Sequence, residues 1–242
     1  MSIRKHIPNA ITSLNLVCGV IGIIIAMQGC METAFLLMLA AMVFDFCDGL
    51  AARLLKVQSP CGKELDSLAD VVSFGVLPAI MMLKSYDKPS GILGILIIFP
   101  LVIAVFSALR LAKFNIDERQ HESFIGLPTP ACALICGSLC CLMAHGSGML
   151  YSSVWFIPAV SAVLCFLLVC ELPMFSFKFG KDIKADPVTR MKRIAIVSIS
   201  AIIVVMVVTF RLPWQSIILG ILLAYILENV LFRLLAPGPS QI

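Results

Sequence analysis

The sequence predicts an all-α membrane protein, a polytopic bundle of about eight transmembrane helices. Of the 242 residues, 60% are hydrophobic and only 13% are charged, whereas a soluble domain carries about 25% charged residues. The mean hydropathy is +1.04, and long apolar runs recur from Ile11 to Leu235. Runs of this length and composition are typical of helices that cross a bilayer.

Eight apolar segments are long enough to form these helices, and each ends in polar or turn-forming residues. The first follows a basic start but lacks a clear small-residue cleavage site, so we expect it to remain as a helix. No soluble domain or clear internal repeat interrupts the series, and we predict one membrane domain over residues 1–242. The predicted helices cover residues 11–28, 32–54, 66–84, 91–112, 127–145, 154–172, 193–210 and 214–235.

The lysines and arginines are unequally divided between the two ends of the predicted helices. One end carries only Lys84, Lys88 and Arg211. Because positive residues favour the cytoplasmic side, we predict that both termini and segment 45–70 lie at the cytoplasmic face. The end predicted to be cytoplasmic carries Arg4, Lys5, Arg53, Lys56, Lys63, Arg110, Lys113, Arg119, Lys178, Lys181, Lys184, Arg190, Lys192, Arg193 and Arg233.

Ten cysteines are present, and most lie inside apolar runs without any CxxC pair. Their placement does not indicate a disulfide framework. Cys132, Cys136 and Cys140 are spaced to share one helical face, where we interpret them as small, polarizable residues at a helix contact. A metal site on that face is the alternative interpretation.

Four aspartates lie within 26 residues of this apolar chain, at the junction of the second and third predicted helices. Asp45 and Asp48 are three residues apart and share a helix face, as do Asp66 and Asp70, which are four apart. The connection between the pairs contains Pro60 and Gly62 and can reverse the chain. A tight reversal there would bring both pairs together at the cytoplasmic boundary.

The cost of burying these groups indicates what they do. An aspartate at mid-membrane costs roughly 2.5–3.5 kcal/mol, and four together approach a domain's net stability of about 5–15 kcal/mol. Crowded like charges add repulsion, which divalent cations remove. Oxygen-only ligands suit Mg²⁺ or Mn²⁺, and two such ions are the usual arrangement for substitution at phosphorus.

Three other interpretations remain open for the acidic segment. The aspartates could be solvated helix-end residues, which would suit Asp66 and Asp70 at a helix N-terminus but not Asp45 and Asp48 near a C-terminus. The protein could be a divalent-cation transporter, although a transporter would place its acidic groups near the midplane. It could also be a noncatalytic membrane scaffold.

Residues 45–70 follow the order D-x2-D-G-x2-A-R-x8-G-x3-D-x3-D. This order resembles the signature of the CDP-alcohol phosphotransferase family at every fixed position. Further matches at 7–19, 62–79, 108–115 and 124–133 resemble its branch of bacterial membrane-embedded phosphatidylserine synthases. The positions that fill the signature are Asp45, Asp48, Gly49, Ala52, Arg53, Gly62, Asp66 and Asp70.

The resemblance implies a role for each matching residue. Asp45 and Asp66 would bridge two divalent metals, Asp48 would complete one metal site, and Asp70 would complete the other and act as general base. The residues implied to bind CDP-diacylglycerol are Pro8, Asn9, Gly49, Ala52, Arg53, Ser59 and Gly62. Other interpretations stay open here: Arg53 as an interface anchor, Asn9 as a helix cap and Ser59 as a turn residue.

The resemblance also implies the reaction, in which a phosphatidyl group passes from CDP-diacylglycerol to the hydroxyl of L-serine, giving phosphatidylserine and CMP. Arg110, Lys113 and Asn115 are our candidates for the serine pocket. Glycerol 3-phosphate and inositol phosphate are alternative acceptors, but their extra phosphate should need more cationic residues. The resemblance further implies a homodimer in the bacterial inner membrane, and no nucleic-acid partner is expected.

Overall fold

The computed structural model describes residues 6–57, 59–86, 91–116, 124–146, 153–174 and 187–235. The described chain is almost entirely helical, and the predicted all-α fold class of a polytopic membrane protein is confirmed. Four helical segments are long and apolar enough to cross a membrane: His6–Met27, Met31–Leu55, Pro60–Ser85 and Gly94–Ile116. Several cations used for the orientation prediction lie outside the described residues, namely Arg4, Lys5, Lys88, Arg119, Lys178, Lys181 and Lys184.

Eight helical segments, named α1 to α8, follow one another in the described chain. The third contains a π-helical turn, Val71–Val76, between two α-helical parts, Pro60–Asp70 and Leu77–Ser85. A 3₁₀ turn, Gly91–Ile97, leads into the fourth. The segments are α1 (His6–Met27), α2 (Met31–Leu55), α3 (Pro60–Ser85), α4 (Ile98–Ile116), α5 (Thr129–His145), α6 (Phe156–Val169), α7 (Pro187–Thr209) and α8 (Gln215–Leu235).

Three predicted helix starts were too late along the chain. Helix α1 begins at His6 rather than at residue 11, α3 at Pro60 rather than 66, and α7 at Pro187 rather than 193. The apolar runs mark only the part of each helix that lies in hydrocarbon, and the polar first turns escaped the prediction. In α3 the first turn is stabilised because the Ser59 hydroxyl accepts a hydrogen bond from the Gly62 N–H, at 3.0 Å.

The reversal between α2 and α3 was predicted correctly in place but not in detail. Pro60 and Gly62 do not form the turn, because both belong to the first turn of α3. The chain instead reverses after Lys56, which adopts left-handed backbone angles with φ of 54°. The Lys56 N–H donates to the carbonyls of Ala52 and Arg53. This is a typical way to end a helix, and it leaves the end of α2 beside the start of α3.

Helices α1, α2 and α3 pack against one another, with the most extensive contact between α1 and α2. Helix α5 lies at the centre, since ten of its 17 residues are buried. Its buried cysteines are free. In the part of the chain that the structure describes, they do not form a group that could hold a metal ion, so the helix-contact interpretation agrees with the packing.

The two ends of the bundle are tied in different ways. At one end the two-residue strands β1 (Phe124–Ile125) and β2 (Pro173–Met174) pair antiparallel, and the Gly126 N–H donates to the Leu172 carbonyl at 2.8 Å. At the opposite end, Glu32 of α2 accepts a hydrogen bond from Gln215 at 3.0 Å and contacts His145 at 3.2 Å. These contacts join α2, α5 and α8.

Candidate active site

A cavity of about 500 Å³ opens where the start of α1, the end of α2 and the start of α3 meet. Each helix contributes residues from its terminal turns, so the cavity lies at one end of the bundle. The residues around it are Pro8, Asn9, Thr12, Asp48, Gly49, Ala52, Arg53, Val57, Ser59, Pro60, Gly62, Lys63 and Asp66.

The α3 side of this cavity depends on a close approach to α1. A Cβ atom at Gly62 would lie 3.0 Å from the Asn9 Oδ1 and 3.0 Å from the Ser59 Oγ. Both distances are tighter than ordinary van der Waals contact, so a larger residue would push Asn9 or the cap at Ser59 aside. Glycine at this position therefore lets α1 and the first turn of α3 share one wall of the cavity.

The α2 side supplies a guanidinium. Arg53 is exposed and its Nε donates to the carbonyl of Gly49, one turn earlier, at 3.0 Å. This bond occupies only one of the five N–H donors of the group. The remaining donors suit phosphate oxygens, which a guanidinium binds with its planar fork.

Three carboxylates converge at the inner side of the cavity. One oxygen from each of Asp45, Asp48 and Asp66 lies within 4.8 Å of the others, and the carboxyl groups of Asp45 and Asp66 are within hydrogen-bonding reach. Asp48 is only 5% exposed. The short distances confirm that the chain reversal brings carboxylates of both helices together.

The donor set fits a divalent cation. The Asp48 Oδ2 and the Asp66 Oδ1 are buried and have no hydrogen-bond partner among the described residues. Buried oxygens of like charge without partners are unstable unless a cation or proton neutralises them. Carboxylate oxygens are the ligands that Mg²⁺ and Mn²⁺ prefer, so this cluster could bind a metal ion.

Asp70, the fourth aspartate, lies one turn further along α3 and outside that closest group of three. It is 9% exposed and still feels electrostatic repulsion from Asp45, Asp66 and Asp48. Its Oδ1 accepts a hydrogen bond from the Asn15 side chain of α1 at 3.2 Å. Asp70 is thus held against α1, next to the cluster.

The predicted nucleotide contacts share one cavity. All seven residues line it, together with two of the four aspartates. Sequence reasoning missed Thr12 and Lys63 on its wall and Asn15 behind it. The first and last of these could have been found, because residues 8, 12 and 15 follow helical spacing along one face of α1.

The three residues predicted for the serine pocket do not line this cavity. Asn115 donates to the Ser67 Oγ at 2.8 Å, and its carbonyl accepts from Lys63 at 3.3 Å, so it joins α4 to α3. Lys113 forms an exposed ion pair with Glu171, at 3.4 Å. Arg110 is 5% exposed and lies over the Phe114 ring, and its role in serine binding stays a prediction.

Comparisons with known proteins agree with this geometry. The chain matches the family model described as CDP-alcohol phosphatidyltransferase over residues 5–167. It is also similar to proteins named CDP-diacylglycerol–serine O-phosphatidyltransferase from several species. The one from Mycobacterium bovis is 37% identical over 176 residues, which cover 69% of this chain and 60% of that protein.

Two further relatives with the same name match this chain at similar identity over shorter segments. The Bacillus subtilis protein is 38% identical over 126 residues, covering 52% of this chain and 70% of its own length. The Methanocaldococcus jannaschii protein is 36% identical over 144 residues, covering 59% and 65%. The matched part of this chain thus spans about 60% of the length of the mycobacterial relative. The family match extends over more than half of the chain and includes every helix that forms the cavity, and the protein therefore belongs to the CDP-alcohol phosphatidyltransferase family.

Proposed function

We propose that this protein transfers a phosphatidyl group from CDP-diacylglycerol to the hydroxyl of L-serine, giving phosphatidylserine and CMP. One observation carries the proposal: a cavity lined by Arg53 and the small residues of the signature borders three clustered carboxylates. The names of the relatives support serine as the acceptor.

Two divalent ions, Mg²⁺ or Mn²⁺, would bind at the aspartates. Asp45 and Asp66 would bridge them, Asp48 would complete one site, and Asp70 the other. The ions would supply positive charge to the pyrophosphate and to the departing CMP. The two buried, unpartnered carboxylate oxygens support this assignment.

The chain itself would position the nucleotide. Arg53 would contact phosphate oxygens, while Gly49 and Ala52 leave space for the nucleotide beside the α2 backbone. Lys63 adds a second cation on the cavity wall. Asn9 and the Ser59 turn would face the remainder of the CDP group, and the acyl chains would stay in the bilayer.

Asp70 would act as the general base. As the serine hydroxyl oxygen attacks the phosphorus that carries diacylglycerol, Asp70 takes the hydroxyl proton. The new phosphorus–oxygen bond joins serine to the phosphatidyl group, and the bond to the bridging oxygen breaks with its electrons leaving on CMP. An ordinary carboxylate is a weak base, so its placement beside the reacting hydroxyl supplies part of the rate.

Arg110 is the best-supported candidate for binding the carboxylate of serine. Asn115 lies against Ser67, and a Cβ at Gly75 would lie 3.1 Å from the Ser107 side chain, so α4 runs antiparallel to α3. This register puts Arg110 opposite residue 72, two residues from Asp70 along α3. Its buried Nε has no hydrogen-bond partner among the described residues.

We infer that this site faces the cytoplasm of a bacterial inner membrane and that the protein forms a homodimer. The cation distribution supports the first inference, because five cations, Arg53, Lys56, Lys63, Arg110 and Lys113, lie at the site's end of the bundle. At the opposite end the described residues include Lys84 and Arg211. The homodimer rests on the family resemblance.

The reaction is tested by product analysis of purified protein with CDP-diacylglycerol, Mn²⁺ or Mg²⁺, and one acceptor at a time. We expect phosphatidylserine and stoichiometric CMP with L-serine, and no product with glycerol 3-phosphate or inositol phosphate. Consumption of glycerol 3-phosphate without consumption of serine would refute the acceptor. Mn²⁺ flux into liposomes without CMP release would support a transporter instead.

Substitution Asp66→Asn should lower kcat by about 100-fold or more, since disturbing even an outer-shell partner of a metal costs about 10–100-fold. The same variant should bind Mn²⁺ more weakly in a titration followed by electron paramagnetic resonance. Glu64→Gln is the matched control, because Glu64 is exposed two residues earlier on the same helix. Equal activity of the two variants would contradict the metal assignment.

Substitution Arg110→Lys should raise the KM for serine by about 10- to 100-fold, because a hydrogen bond to a charged group contributes about 1.5–3 kcal/mol. Lysine keeps the charge but loses the planar fork. The KM for CDP-diacylglycerol should stay within about twofold. The control is Arg211→Lys, a substitution at an exposed residue at the opposite end of the bundle. An unchanged KM for serine in Arg110→Lys would contradict a role of Arg110 in serine binding.

The orientation is tested with two exposed cysteines at opposite ends of the bundle, Cys30 and Cys61. In variants that keep only one of them, a membrane-impermeant maleimide applied to spheroplasts should label Cys30 and not Cys61. Both should react after the membrane is opened. Labelling of Cys61 in sealed spheroplasts would reverse the proposed orientation.

A further inference from the structure

Asn15 is a fully buried polar residue in the middle of an apolar helix. Its side chain is 0% exposed, and its Nδ2 donates to the Asp70 Oδ1 at 3.2 Å across the contact between α1 and α3. None of the roles described above uses this residue. It contacts the side chain that the proposed reaction depends on most.

The position of Asn15 is itself fixed by α3. The Ser73 hydroxyl donates to the Asn15 carbonyl oxygen at 3.1 Å, so α3 holds the backbone of Asn15 while Asn15 holds Asp70. One turn further along α1, a Cβ at Gly19 would collide with the Ser73 Oγ and lie 3.0 Å from the Ser73 Cα. Glycine is therefore required there for the two helices to approach closely enough for both hydrogen bonds.

Only the nitrogen of the Asn15 amide makes a hydrogen bond in the described chain. Its Oδ1 is buried without a hydrogen-bond partner in the described chain, and burying an unpaired amide oxygen reduces stability. A leucine, which has the same branched arrangement of heavy atoms but no polar atom, would avoid that cost. The presence of an amide at this point is therefore explained by the hydrogen bond that its nitrogen makes to Asp70.

We propose that Asn15 is a positioning residue that holds Asp70 by one carboxylate oxygen and thereby directs the other oxygen into the reaction site. The inference rests on the proposed function, because it assigns the free Asp70 oxygen to the proton of the acceptor hydroxyl and to a metal ion. Asn15 itself touches neither the substrate nor the reacting atoms.

The geometry explains why such a restraint matters. An aspartate carboxylate rotates about a soft torsion, and Asp70 is pushed by the repulsion of three neighbouring carboxylates. The residues that follow it, Val71–Val76, form a π-helical turn, a type of irregularity frequent at functional sites. A fixed N–H donor on α1 selects one orientation of the group, and a displacement of about 1 Å can cost 10²-fold in rate.

The experiment compares Asn15→Leu and Asn15→Asp with Ser13→Ala in full-length protein reconstituted in nanodiscs. Leucine keeps the branching of the side chain but removes the donor, and aspartate keeps the shape but replaces the donor with a repelling acceptor. Ser13 is exposed on the same helix, and its hydroxyl donates to the Asn9 carbonyl at 2.8 Å. The measurements are kcat, the KM for CDP-diacylglycerol, Mn²⁺ affinity by electron paramagnetic resonance, and thermal stability.

We expect kcat to fall about 10- to 100-fold in both Asn15 variants, with the KM for CDP-diacylglycerol changed less than about threefold. The Mn²⁺ dissociation constant should rise about 10-fold, as it does when an outer-shell partner of a metal ligand is lost. Asn15→Leu should unfold at the same temperature as the unsubstituted protein or higher, and Ser13→Ala should match it in every measurement.

A space-filling role for Asn15 would leave Asn15→Leu with normal kcat and normal Mn²⁺ affinity, and this result would overturn the inference. A rise confined to the KM for CDP-diacylglycerol would also overturn it, because it would place Asn15 in substrate binding. Absence of phosphatidylserine formation by the unsubstituted protein would refute the proposed function alone. In that case the Mn²⁺ measurement still decides whether Asn15 positions Asp70.

Discussion

Mutual repulsion between carboxylates within a largely apolar protein is the constraint on which the rest of this structure depends. Asp45, Asp48 and Asp66 place oxygens within 4.8 Å of one another, although nothing in the described chain neutralises them. Such an arrangement persists only if the surrounding helices hold it firmly and a cation or a proton neutralises part of its charge. The left-handed residue that ends α2 and the serine cap that begins α3 provide that support within a few residues of the cluster.

Helix α1 supplies the third side of the site. Its apolar face is interrupted by a polar stripe that runs from the cavity wall at Asn9 and Thr12 to Asn15. The outer part of this stripe faces the cavity, and the inner part faces Asp70. One helix thus contributes to the proposed substrate site and to the orientation of the proposed base, which explains why its contact with α3 is so close at Gly19.

The sequence was informative wherever a physical signal was strong and local. Hydropathy predicted the helix order, and the family resemblance implied seven residues that share the cavity. Hydropathy could not locate helix starts such as Pro60, because amphipathic first turns lie outside the apolar run. It also could not show that Asn15 faces Asp70, since that contact joins residues 55 positions apart. The acceptor candidates Lys113 and Asn115 show the same limit of local spacing, because they are close along the chain but contact different partners, Glu171 and Ser67, and their role in serine binding stays a prediction.

The π-helical turn over Val71–Val76 divides α3 into two different parts. The part before it carries Asp66 and Asp70, and the part after it, from Leu77, packs in the hydrophobic core. Each residue of an α-helix turns the chain by about 100°. One extra residue in a regular α-helix would rotate its two halves relative to each other by that angle, and a wider turn with i→i+5 hydrogen bonds accommodates such a residue locally. The irregular turn thus sets how the acidic half is rotated about the helix axis relative to the apolar half, and with it the direction in which the carboxylates face.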